Sequence, residues 1–547
     1  MSHMYVFNPI RRPISLSFGR AFWPQGKRSA DRRSLASGLA LIGTSLLVTS
    51  AGFTARATEL SSPSETSRQE WLIKIVPSKS AGGLNAQVRE RLQSLGTRME
   101  SLGELAGGEW LKVKSESKAL NLKSRLATQP GVMLVQPNYR IRHLQDYQIR
   151  DSGQRERLAR ELMSRGYSVP GYAGGLRPQA PADNPAIPNP PSSTRGADPE
   201  FPKQWGMVDN NVKNGWSGRR GEGMVVAVLD SGVDYTHEDL AENMWRNPGE
   251  TGRDTKGQDR ASNGVDDDGN GYIDDVVGWD FVTNDNKPYD LSVDPIQLLF
   301  GGGNPGHGTH CAGNVAARGE NAIGVAGVAP KTQIMALRFL SEKGEGSTDA
   351  AIKAIQYATK MGVKISSNSW GSEGEDPSDT VGNQALRDAI TEAMNAGQLF
   401  IAAAGNGHQG VGYDNDTDAK PAYPASYEHE NIISVAALDK ADALGSFSNW
   451  GKKSVDLGAP GVAVFSTTVG GKYSDTVIDM LGIKATWDGT SMAAPHVSGA
   501  AALYWADHPQ ATWREVKAAI LKSVKPISTL NGKSVTGGKL NVDALMR

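Results

Sequence analysis

Five short apolar runs, each long enough for one buried strand, recur within the C-terminal part of this 547-residue chain. Segments with helical character separate them, and Thr512 and Glu515 form a predicted capping box before the helix 516–521. Apolar runs without polar alternation are typical of strands buried on both faces of a parallel sheet. The runs are 224–229, 333–338, 363–368, 399–404 and 432–437, and helices 349–360 and 382–396 lie between them. This order predicts an α/β fold, a doubly wound parallel sheet flanked by helices, with its chemistry at the carboxyl ends of the strands.

A smaller α+β unit is predicted ahead of this sheet. Its pattern is strand 71–76, helix 84–95, strand 109–114, helix 120–127 and strand 131–139. We assign it to a domain over 58–146 with its core at 71–143. Residues 168–202 contain nine prolines, too many for a packed element, so we assign 147–197 to a Pro-rich extended linker and 198–547 to the large domain.

The N-terminal segment has the layout of an export signal. Lys27, Arg28, Arg32 and Arg33 precede an apolar run over 35–48, and Ala55-Arg56-Ala57 has the small-x-small pattern of a cleavage site. We therefore expect a signal peptide over 1–57 and a secreted protein, extracellular or periplasmic. The alternative is an uncleaved signal anchor, because the run is near the shortest length that spans a bilayer. The paired arginines also leave a twin-arginine route open.

Charge and cysteine content restrict the function classes. The formal net charge of −1 conceals 20 basic and 13 acidic side chains in residues 58–197 against 30 basic and 45 acidic ones in 198–547. This asymmetry suggests two parts that attract each other, although each could simply be solvated. No basic cluster interleaved with aromatic residues occurs in the acidic part, so we expect no nucleic-acid partner. With the single cysteine Cys311, stability outside the cell must come from packing or bound ions.

Three residues at predicted strand ends and helix starts have the types that nucleophilic catalysis needs. Asp230 ends the run 224–229, His307 lies in a glycine-flanked segment, and Ser491 lies at the start of a small-residue helix. A helix N-terminus beneath Ser491 and its own N–H would stabilise a developing oxyanion. Pro495 is expected in the first turn of that helix, where its missing N–H costs no hydrogen bond. An Asp–His–Ser arrangement would let His307 accept the serine proton while Asp230 orients the imidazole.

Four sequence blocks around these residues resemble the signature blocks of the subtilisin-like serine peptidases. The resemblance covers residues 198–547 and implies an endopeptidase with the triad Asp230, His307 and Ser491 and with Asn406 as the oxyanion donor. The alternatives are a non-catalytic scaffold on the same fold and a processing peptidase with one narrow substrate. The blocks are Val-Val-Ala-Val-Leu-Asp-Ser-Gly-Val-Asp (225–234), His-Gly-Thr-His-Cys-Ala-Gly (307–313), Ala-Ala-Ala-Gly-Asn (402–406) and Gly-Thr-Ser-Met-Ala-Ala-Pro-His-Val-Ser-Gly (489–499).

The same resemblance implies where polypeptide substrates bind. An extended peptide is expected to add as a strand beside Ser369, Trp370 and Gly371, with 403–405 opposite. The pocket for the residue before the scissile bond would lie between these two segments, the second of which ends at Gly405, with Ala422 near its base. A small residue at its base leaves depth for a large apolar or aromatic side chain, and no acid is dedicated to a basic one. We further expect a monomer whose unit 58–146 acts as an inhibitory propeptide and folding aid, in a ferredoxin-like arrangement laid over two surface helices.

Two calcium sites are expected. The first follows from a loop with oxygen ligands at EF-hand spacing and a glycine at its sixth position. Val277 replaces the usual glutamate at position 12, so Asp275 is a candidate for the bidentate ligand, and an acidic solvated turn is the alternative. The second site is implied by the family resemblance. The first set is Asp266, Asp268, Asn270, Tyr272 and Asp274; the second is Asp198, Asp239, Asn321 and the carbonyls of Ile323 and Val325.

Two rival chemistries involve Cys311. His307, His310 and Cys311 could suggest zinc, but no fourth ligand follows in the spacing. As a nucleophile, Cys311 is disfavoured by its place inside a small-residue helix. We expect it instead beneath the His307 imidazole, as in family members with cysteine at this position, which implies sensitivity to mercurials.

Overall fold

The structure, a computed structural model, describes residues 70–79, 83–115, 122–145, 147–149, 151–172, 185–189, 195–373 and 383–547. The expected export signal over 1–57 lies outside these residues. Among the described residues, no helix combines the length and the apolar character needed to cross a bilayer.

The first described unit is a four-stranded antiparallel sheet with two helices. Its strand order is β2–β3–β1–β4. Helix α1 packs Val88 and Leu92 against Ile73 and Val113 of the sheet, in a small core of its own. The elements are β1 (Glu70–Ile75), α1 (Leu84–Ser94), β2 (Thr97–Leu105), β3 (Gly108–Ser115), α2 (Leu122–Leu126) and β4 (Val132–Pro137).

Strand β2 is not predicted by the sequence. It lies at an edge of the sheet, and only Thr97, Leu102 and Leu105 along it are buried. Because an edge strand with a mostly polar sequence lacks apolar alternation, its period-2 signal is too weak to detect.

The large domain is built on a nine-stranded sheet whose neighbouring strands are parallel except for the terminal β20–β21 pair. The strand order is β20–β21–β15–β14–β12–β10–β6–β8–β7. The predicted doubly wound parallel sheet is therefore confirmed. Its strands are β6 (Val225–Asp230), β7 (Gly278–Asp280), β8 (Gln333–Arg338), β10 (Ile365–Asn368), β12 (Leu399–Ala403), β14 (Ile432–Leu438), β15 (Leu457–Pro460), β20 (Lys525–Pro526) and β21 (Gly538–Lys539).

Helices cover both faces of this sheet. Along β6, Val226 and Val228 face the core formed with α6 and α9, while Ala227 and Leu229 face the core formed with α7 and α8. The expected Thr512–Glu515 capping box opens α10. The helices are α4 (Trp205–Asp209), α5 (Pro295–Gly301), α6 (His307–Ala316), α7 (Thr348–Lys360), α8 (Gln384–Asn395), α9 (Thr490–Asp507), α10 (Trp513–Lys522) and α11 (Val542–Leu545).

Smaller strands surround the mouth of the sheet. Strand β5 (Arg140–His143) follows directly after the first unit and joins a four-stranded sheet of order β13–β11–β5–β9. Its partners are β9 (Glu345–Ser347), β11 (Trp370–Glu373) and β13 (Ala422–Tyr423). Two hairpins lie nearby, β16 (Ser466–Thr468) with β17 (Lys472–Ser474), and β18 (Thr476–Met480) with β19 (Ile483–Thr486).

The assignment of 147–197 to an extended linker is wrong in its first part. Helix α3 (Ser152–Ser164) forms there, capped by the Asp151 side chain, and buries Leu158 and Leu162 against Leu298 and Phe300 of the α5 segment. Residues 152–164 contain no proline, and the apolar positions at helical spacing mark an amphipathic helix. The linker assignment is based on the prolines of 168–202 and is extended back to 147, so it includes this helical segment.

Candidate active site

Asp230 and His307 meet at the carboxyl end of the sheet. Asp230 is the last residue of β6 and His307 the first of α6, and His307 Nδ1 lies 2.7 Å from Asp230 Oδ1. Both side chains are buried. Burial alone would lower the pKa of His307, but the charge of Asp230, the neighbouring Cys311 and the hydrogen bonds to both together hold that pKa well above its usual value. The pair is therefore oriented and electrostatically coupled.

Asp290 anchors both members of this pair and was not singled out from the sequence. Its carboxylate accepts hydrogen bonds from the Ser231 hydroxyl at 2.9 Å, the Asn304 amide at 2.7 Å and the Thr309 hydroxyl at 2.6 Å. Asn304 Oδ1 in turn accepts the His307 N–H at 2.9 Å. Burial raises the pKa of Asp290 to about 6. No local motif marks Asp290, because its partners come from two other segments of the chain, at residue 231 and at 304–309.

Ser491 lies at the second position of α9, close to the same pair. Its Oγ donates to the Ser369 carbonyl at 3.1 Å, and Ser369 Oγ donates to the Ser491 carbonyl at 2.9 Å. Ser491 Oγ thus makes its hydrogen bond to Ser369 and none to His307. His307 Nε2 is buried and has no hydrogen-bond partner among the described residues. The imidazole thus keeps one nitrogen available.

Pro495 is not in the first turn of α9, as expected from the sequence, but at its sixth position. Proline there removes the helix bond to the carbonyl four residues earlier, which belongs to Ser491. That carbonyl accepts from Ser369 Oγ and from Cys311 Sγ, the latter at 3.4 Å. The proline therefore frees a backbone acceptor that fixes the start of α9 to two neighbouring elements.

Cys311 lies beside the imidazole, as expected. Its Sγ is 3.9 Å from His307 Nδ1, and burial raises the pKa of the thiol. Asp230, His307 and Cys311 have potential ligand atoms within 4.8 Å of one another. His310 faces away, with Nε2 3.0 Å from the Val464 carbonyl and its ring stacked on Trp487. The zinc set of His307, His310 and Cys311 is therefore not assembled.

Asn406 contacts a carbonyl group of the chain itself. Its Nδ2 donates to the Leu144 carbonyl at 2.7 Å, and its Oδ1 accepts from the Thr490 N–H at 2.9 Å and the Thr490 hydroxyl at 2.8 Å. The contacts with Thr490, directly before Ser491, fix the amide so that Nδ2 faces Leu144. This orientation is the one that an oxyanion donor requires.

The segment ending at Leu144 lies in an extended groove. Strand β5 pairs antiparallel with β11, His143 opposite Trp370 and Arg142 opposite Gly371, and on its other side with β9. The expected position of 403–405 opposite the peptide is therefore wrong. Strand β12, which contains Ala403, lies between β10 and β14 in the large sheet and has no free edge.

The expected pocket residues lie next to one another. Ala422 is buried in β13, which flanks β11 on the side away from β5. Gly405 has φ of +112°, and a Cβ there would lie 2.7 Å from the Ala422 Cβ, so the backbone requires glycine. Trp370 offers its backbone to the groove while its buried indole packs against Phe339 and Phe400.

The four-stranded unit docks on α7 and α8 through polar contacts. Asp388 Oδ2 accepts from Lys74 Nζ at 2.7 Å and from Trp110 Nε1 at 2.9 Å. Asp349 accepts from Lys112 Nζ at 2.8 Å and from Asn138 Nδ2 at 2.6 Å. The Asn138 side chain also accepts the Asp349 N–H at the start of α7, at 3.1 Å. Basic groups of one unit thus meet acidic groups at the ends and flanks of two helices.

The first expected calcium set is only partly assembled. Asp268 joins Glu250 and Asp275, whose carboxylate oxygens lie within 4.8 Å of one another, and Asn270 donates to both Asp268 and Asp275. Asp266 instead accepts the N–H groups of Asn270 and Gly271, and Asp274 accepts that of Gly264. Tyr272 packs on Trp279 and Tyr357. These N–H contacts fix the carboxylates within the loop while each keeps further lone pairs, so the EF-hand interpretation stays a prediction.

The cluster of Glu250, Asp268 and Asp275 has the properties of a cation site. Burial raises the pKa of Glu250, and it raises that of Asp275 to about 6. Glu250 Oε2 is buried and accepts no hydrogen bond within the described part of the chain. Glu250 is distant in sequence from the loop, so spacing could not reveal it. Three carboxylates with an orphaned oxygen fit a hard divalent cation such as Ca²⁺.

The side chains of the second expected calcium set, Asp198, Asp239 and Asn321, are brought together. Asp239 accepts from Asn321 Nδ2 and from the Val325 N–H, each at 2.8 Å, and Asp198 accepts the Asn321 N–H at 3.1 Å. The Asn321 side chain also accepts the Ile323 N–H at 2.9 Å. Burial raises the pKa of Asp239 to about 8, and Asp198 Oδ2 is buried without a described partner. These groups fit a cation as well.

Comparison with known proteins agrees with the fold. The chain resembles thermitase of Thermoactinomyces vulgaris, with 34% identity over 332 residues that cover 60% of this chain and 92% of thermitase. It is 31% identical to subtilisin of Bacillus pumilus over 329 residues, 60% of this chain and 92% of that one. A thermophilic serine proteinase of Bacillus sp. strain AK1 is 35% identical over 301 residues, 55% of this chain and 57% of that protein.

The fold and these likenesses define a serine endopeptidase of the subtilisin-like class. The family model of the subtilases matches residues 221–542, more than half of the chain. The chain therefore belongs to the subtilase family. The family resemblance stated from the four sequence blocks is confirmed.

Proposed function

We propose that the chain is the autoprocessed precursor of a secreted endopeptidase, with Asp230, His307 and Ser491 as catalytic triad and Asn406 as oxyanion donor. One observation carries the proposal: the Leu144 carbonyl oxygen accepts a 2.7 Å hydrogen bond from Asn406 Nδ2. A carbonyl held in this way is the group that a nucleophile would attack. The scissile bond of autoprocessing is then Leu144–Gln145.

The chemistry proceeds by acyl transfer. The Ser491 hydroxyl turns from the Ser369 carbonyl and attacks the Leu144 carbonyl carbon, while His307 Nε2 accepts its proton. Asp230 stabilises the imidazolium, and Asn406 with the Ser491 N–H stabilises the oxyanion. His307 then donates the proton to the Gln145 nitrogen as the C–N bond breaks. Water, activated by the same imidazole, hydrolyses the acyl-enzyme.

The substrates are polypeptides that bind as a strand between β11 and β9. Leu144 before the bond is a large apolar residue, in keeping with the expected preference for apolar or aromatic side chains. The partly exposed Arg140–Glu345 pair, at 3.3 Å, lies four residues away from Leu144 and does not make a pocket for a basic residue at the bond. Tight dibasic processing is therefore disfavoured.

The unit over 58–146 is the inhibitory propeptide in this proposal. Its sheet docks on α7 and α8, and β5 fills the groove, so both interactions keep substrates out. Fixing β5 beside β11 also aligns Leu144 with Asn406. The unit would also assist folding, because Asn138 Oδ1 accepts the Asp349 N–H at the start of α7 and Gln136 Oε1 accepts the Ala385 N–H at the start of α8.

Calcium would stabilise the large domain. Glu250, Asp268 and Asp275 would hold one ion, and Asp198, Asp239, Asn321 and the carbonyls of Ile323 and Val325 a second. When bound, the ions supply charge that offsets the mutual repulsion of buried carboxylates. Secretion is supported by the export-type sequence over 1–57.

Replacing the nucleophile tests the proposal. Ser491→Ala should remain an uncut precursor and fail to react with a fluorophosphonate, whereas the parent chain should yield a new N-terminus at Gln145. Ser498→Ala is the matched control, because Ser498 is a buried serine of the same helix that bonds to Ser367. Normal processing at Gln145 by the Ser491→Ala chain would contradict the proposal and favour a non-catalytic scaffold.

A further inference from the structure

His143, directly before Leu144, is held on several sides within the groove. Its ring stacks on that of His307, with centroids 5.3 Å apart and planes 21° apart. Its backbone N–H donates to the Gly344 carbonyl at 3.1 Å, and its ring Nε2 lies 3.2 Å from the Gly303 carbonyl. The residue as a whole is 5% exposed. These contacts form a closed seat for an imidazole.

Gly344 provides the space for this ring. A Cβ at that position would lie 2.0 Å from His143 Nε2 and 2.2 Å from Cδ2, closer than any side chain tolerates. Alanine at 344 would therefore displace the ring. It should mainly weaken the binding of substrates that carry a ring at the position of His143.

The contacts of the ring select one tautomer. A carbonyl oxygen can only accept, so Nε2 carries the hydrogen and donates to Gly303. Nδ1 is then an acceptor, and the Gln145 N–H donates to it at 3.3 Å. Gln145 N is the nitrogen that must leave when the peptide bond breaks. An acceptor on its hydrogen makes this nitrogen more basic, which favours its protonation by His307.

We infer that the enzyme selects peptides with histidine immediately before the apolar residue of the scissile bond. This inference rests on the proposed function and names the substrate class of the same site. The Gly303 carbonyl, Gly344 and the His307 ring recognise the imidazole. The substrate in turn contributes an acceptor to the leaving nitrogen, while the proton still comes from His307.

The test uses the enzyme that the full chain releases by autoprocessing. Its kcat/KM is measured on three peptides with the sequence of residues 140–149, carrying histidine, alanine or phenylalanine at the position of His143. We expect kcat/KM for the histidine peptide to exceed that for the alanine peptide about tenfold, the upper range of the net contribution of one neutral hydrogen bond. The phenylalanine side chain fills the same space but cannot accept a hydrogen bond from the leaving N–H. The kcat/KM of the phenylalanine peptide should therefore lie well below that of the histidine peptide.

Two glycine variants complete the design. Gly344→Ala should reduce the histidine-to-alanine ratio to about one, whereas Gly362→Ala should keep it. Gly362 has φ of +72°, matching +70° at Gly344, but has open space around its missing side chain, so it controls for backbone strain. A ratio near one in the unmodified enzyme, or one unchanged by Gly344→Ala, would overturn the inference and leave the peptidase proposal intact. Hydrolysis of none of the peptides would instead refute the proposed function, and the inference with it.

Discussion

Asp388 offers a direct test of how the N-terminal unit is held on the large domain. Its Oδ2 accepts from both Lys74 and Trp110, and the side chains of Lys74 and Asp388 are 10% and 5% exposed. In Asp388→Ala, the Lys74 ammonium keeps only the Ala106 carbonyl at 3.0 Å, and the Trp110 N–H loses its acceptor. The variant therefore leaves a largely buried charge without its counter-ion.

The expected weakening of binding can be worked from these contacts. Removing one partner of a buried ion pair costs about 3–5 kcal/mol. The remaining bond to Ala106 and the residual exposure of Lys74 place this case at the lower end, about 3 kcal/mol. Since each 1.4 kcal/mol is a factor of about ten in the binding constant, the docked unit should bind about a hundredfold more weakly.

The rate at which peptidase activity appears measures this loss. Precursor cut at Leu144–Gln145 is diluted into a fluorogenic peptide, and release of the docked unit is followed as a rise in hydrolysis. Asp388→Ala should raise the release rate about a hundredfold. Glu392→Ala is the control on the same helix, because Glu392 makes an exposed 3.1 Å contact with the Ala106 N–H worth about 1 kcal/mol or less. Equal release rates for Asp388→Ala and the parent chain would refute the reasoning.

Three further predictions concern stability. Chelating calcium should lower the melting temperature of the protein. Asp239→Asn should reduce this effect of the chelator more than Asp266→Asn, because the Asp266 carboxylate caps its own loop. A melting temperature that does not change with chelator would exclude both calcium sites. Burial lowers the pKa of His496 from its usual 6.5 to about 4 in the folded protein. The free energy of unfolding should therefore fall by up to about 3 kcal/mol as the pH falls from 6.5 toward 4, because the unfolded chain binds the proton first. His496→Gln should flatten the pH profile of denaturant unfolding in that window, and an unchanged slope would contradict this assignment. Leu158→Asp should undock α3 and expose it to limited proteolysis, whereas the control Arg157→Asp, at an exposed position of the same helix, should not. If α3 resists the protease equally in both variants, the Leu158 contact is dispensable.

Local signals predict the five central strands of the large sheet, β6, β8, β10, β12 and β14, because each of them is encoded in a short apolar run of its own. The predicted bounds 333–338 coincide with β8, and the predicted run 399–404 overlaps β12 closely. Strand β2 escapes prediction because its pairing with β3, rather than its sequence, makes it a strand. Glu250 and Asp290 escape because tertiary folding alone places their carboxylates beside distant partners.

The position of Pro495 shows a different limit of sequence reasoning. The proline was expected to be harmless in a first turn, yet it lies at a helix position where a hydrogen bond is lost. The compensation comes from Ser369 and Cys311, which are 122 and 180 residues away from Ser491. A residue that is unfavourable for the helix thus makes a tertiary contact possible, and only the folded arrangement reveals this exchange.

Leu144 and Gln145 lie between two segments that are anchored to the large domain by different means. Before the bond, the β-sheet unit docks on α7 and α8 through buried ionic contacts, and after it α3 packs on the apolar side chains of α5. Two anchors restrict the motion of the bond between them, which lowers the entropy that must be lost to align it with Asn406. Cutting the bond, as proposed, would leave the first anchor held only by non-covalent contacts, while α3 would remain covalently connected to the large domain. Release of the first unit would then depend on contacts such as Lys74–Asp388, whereas release of α3 would not.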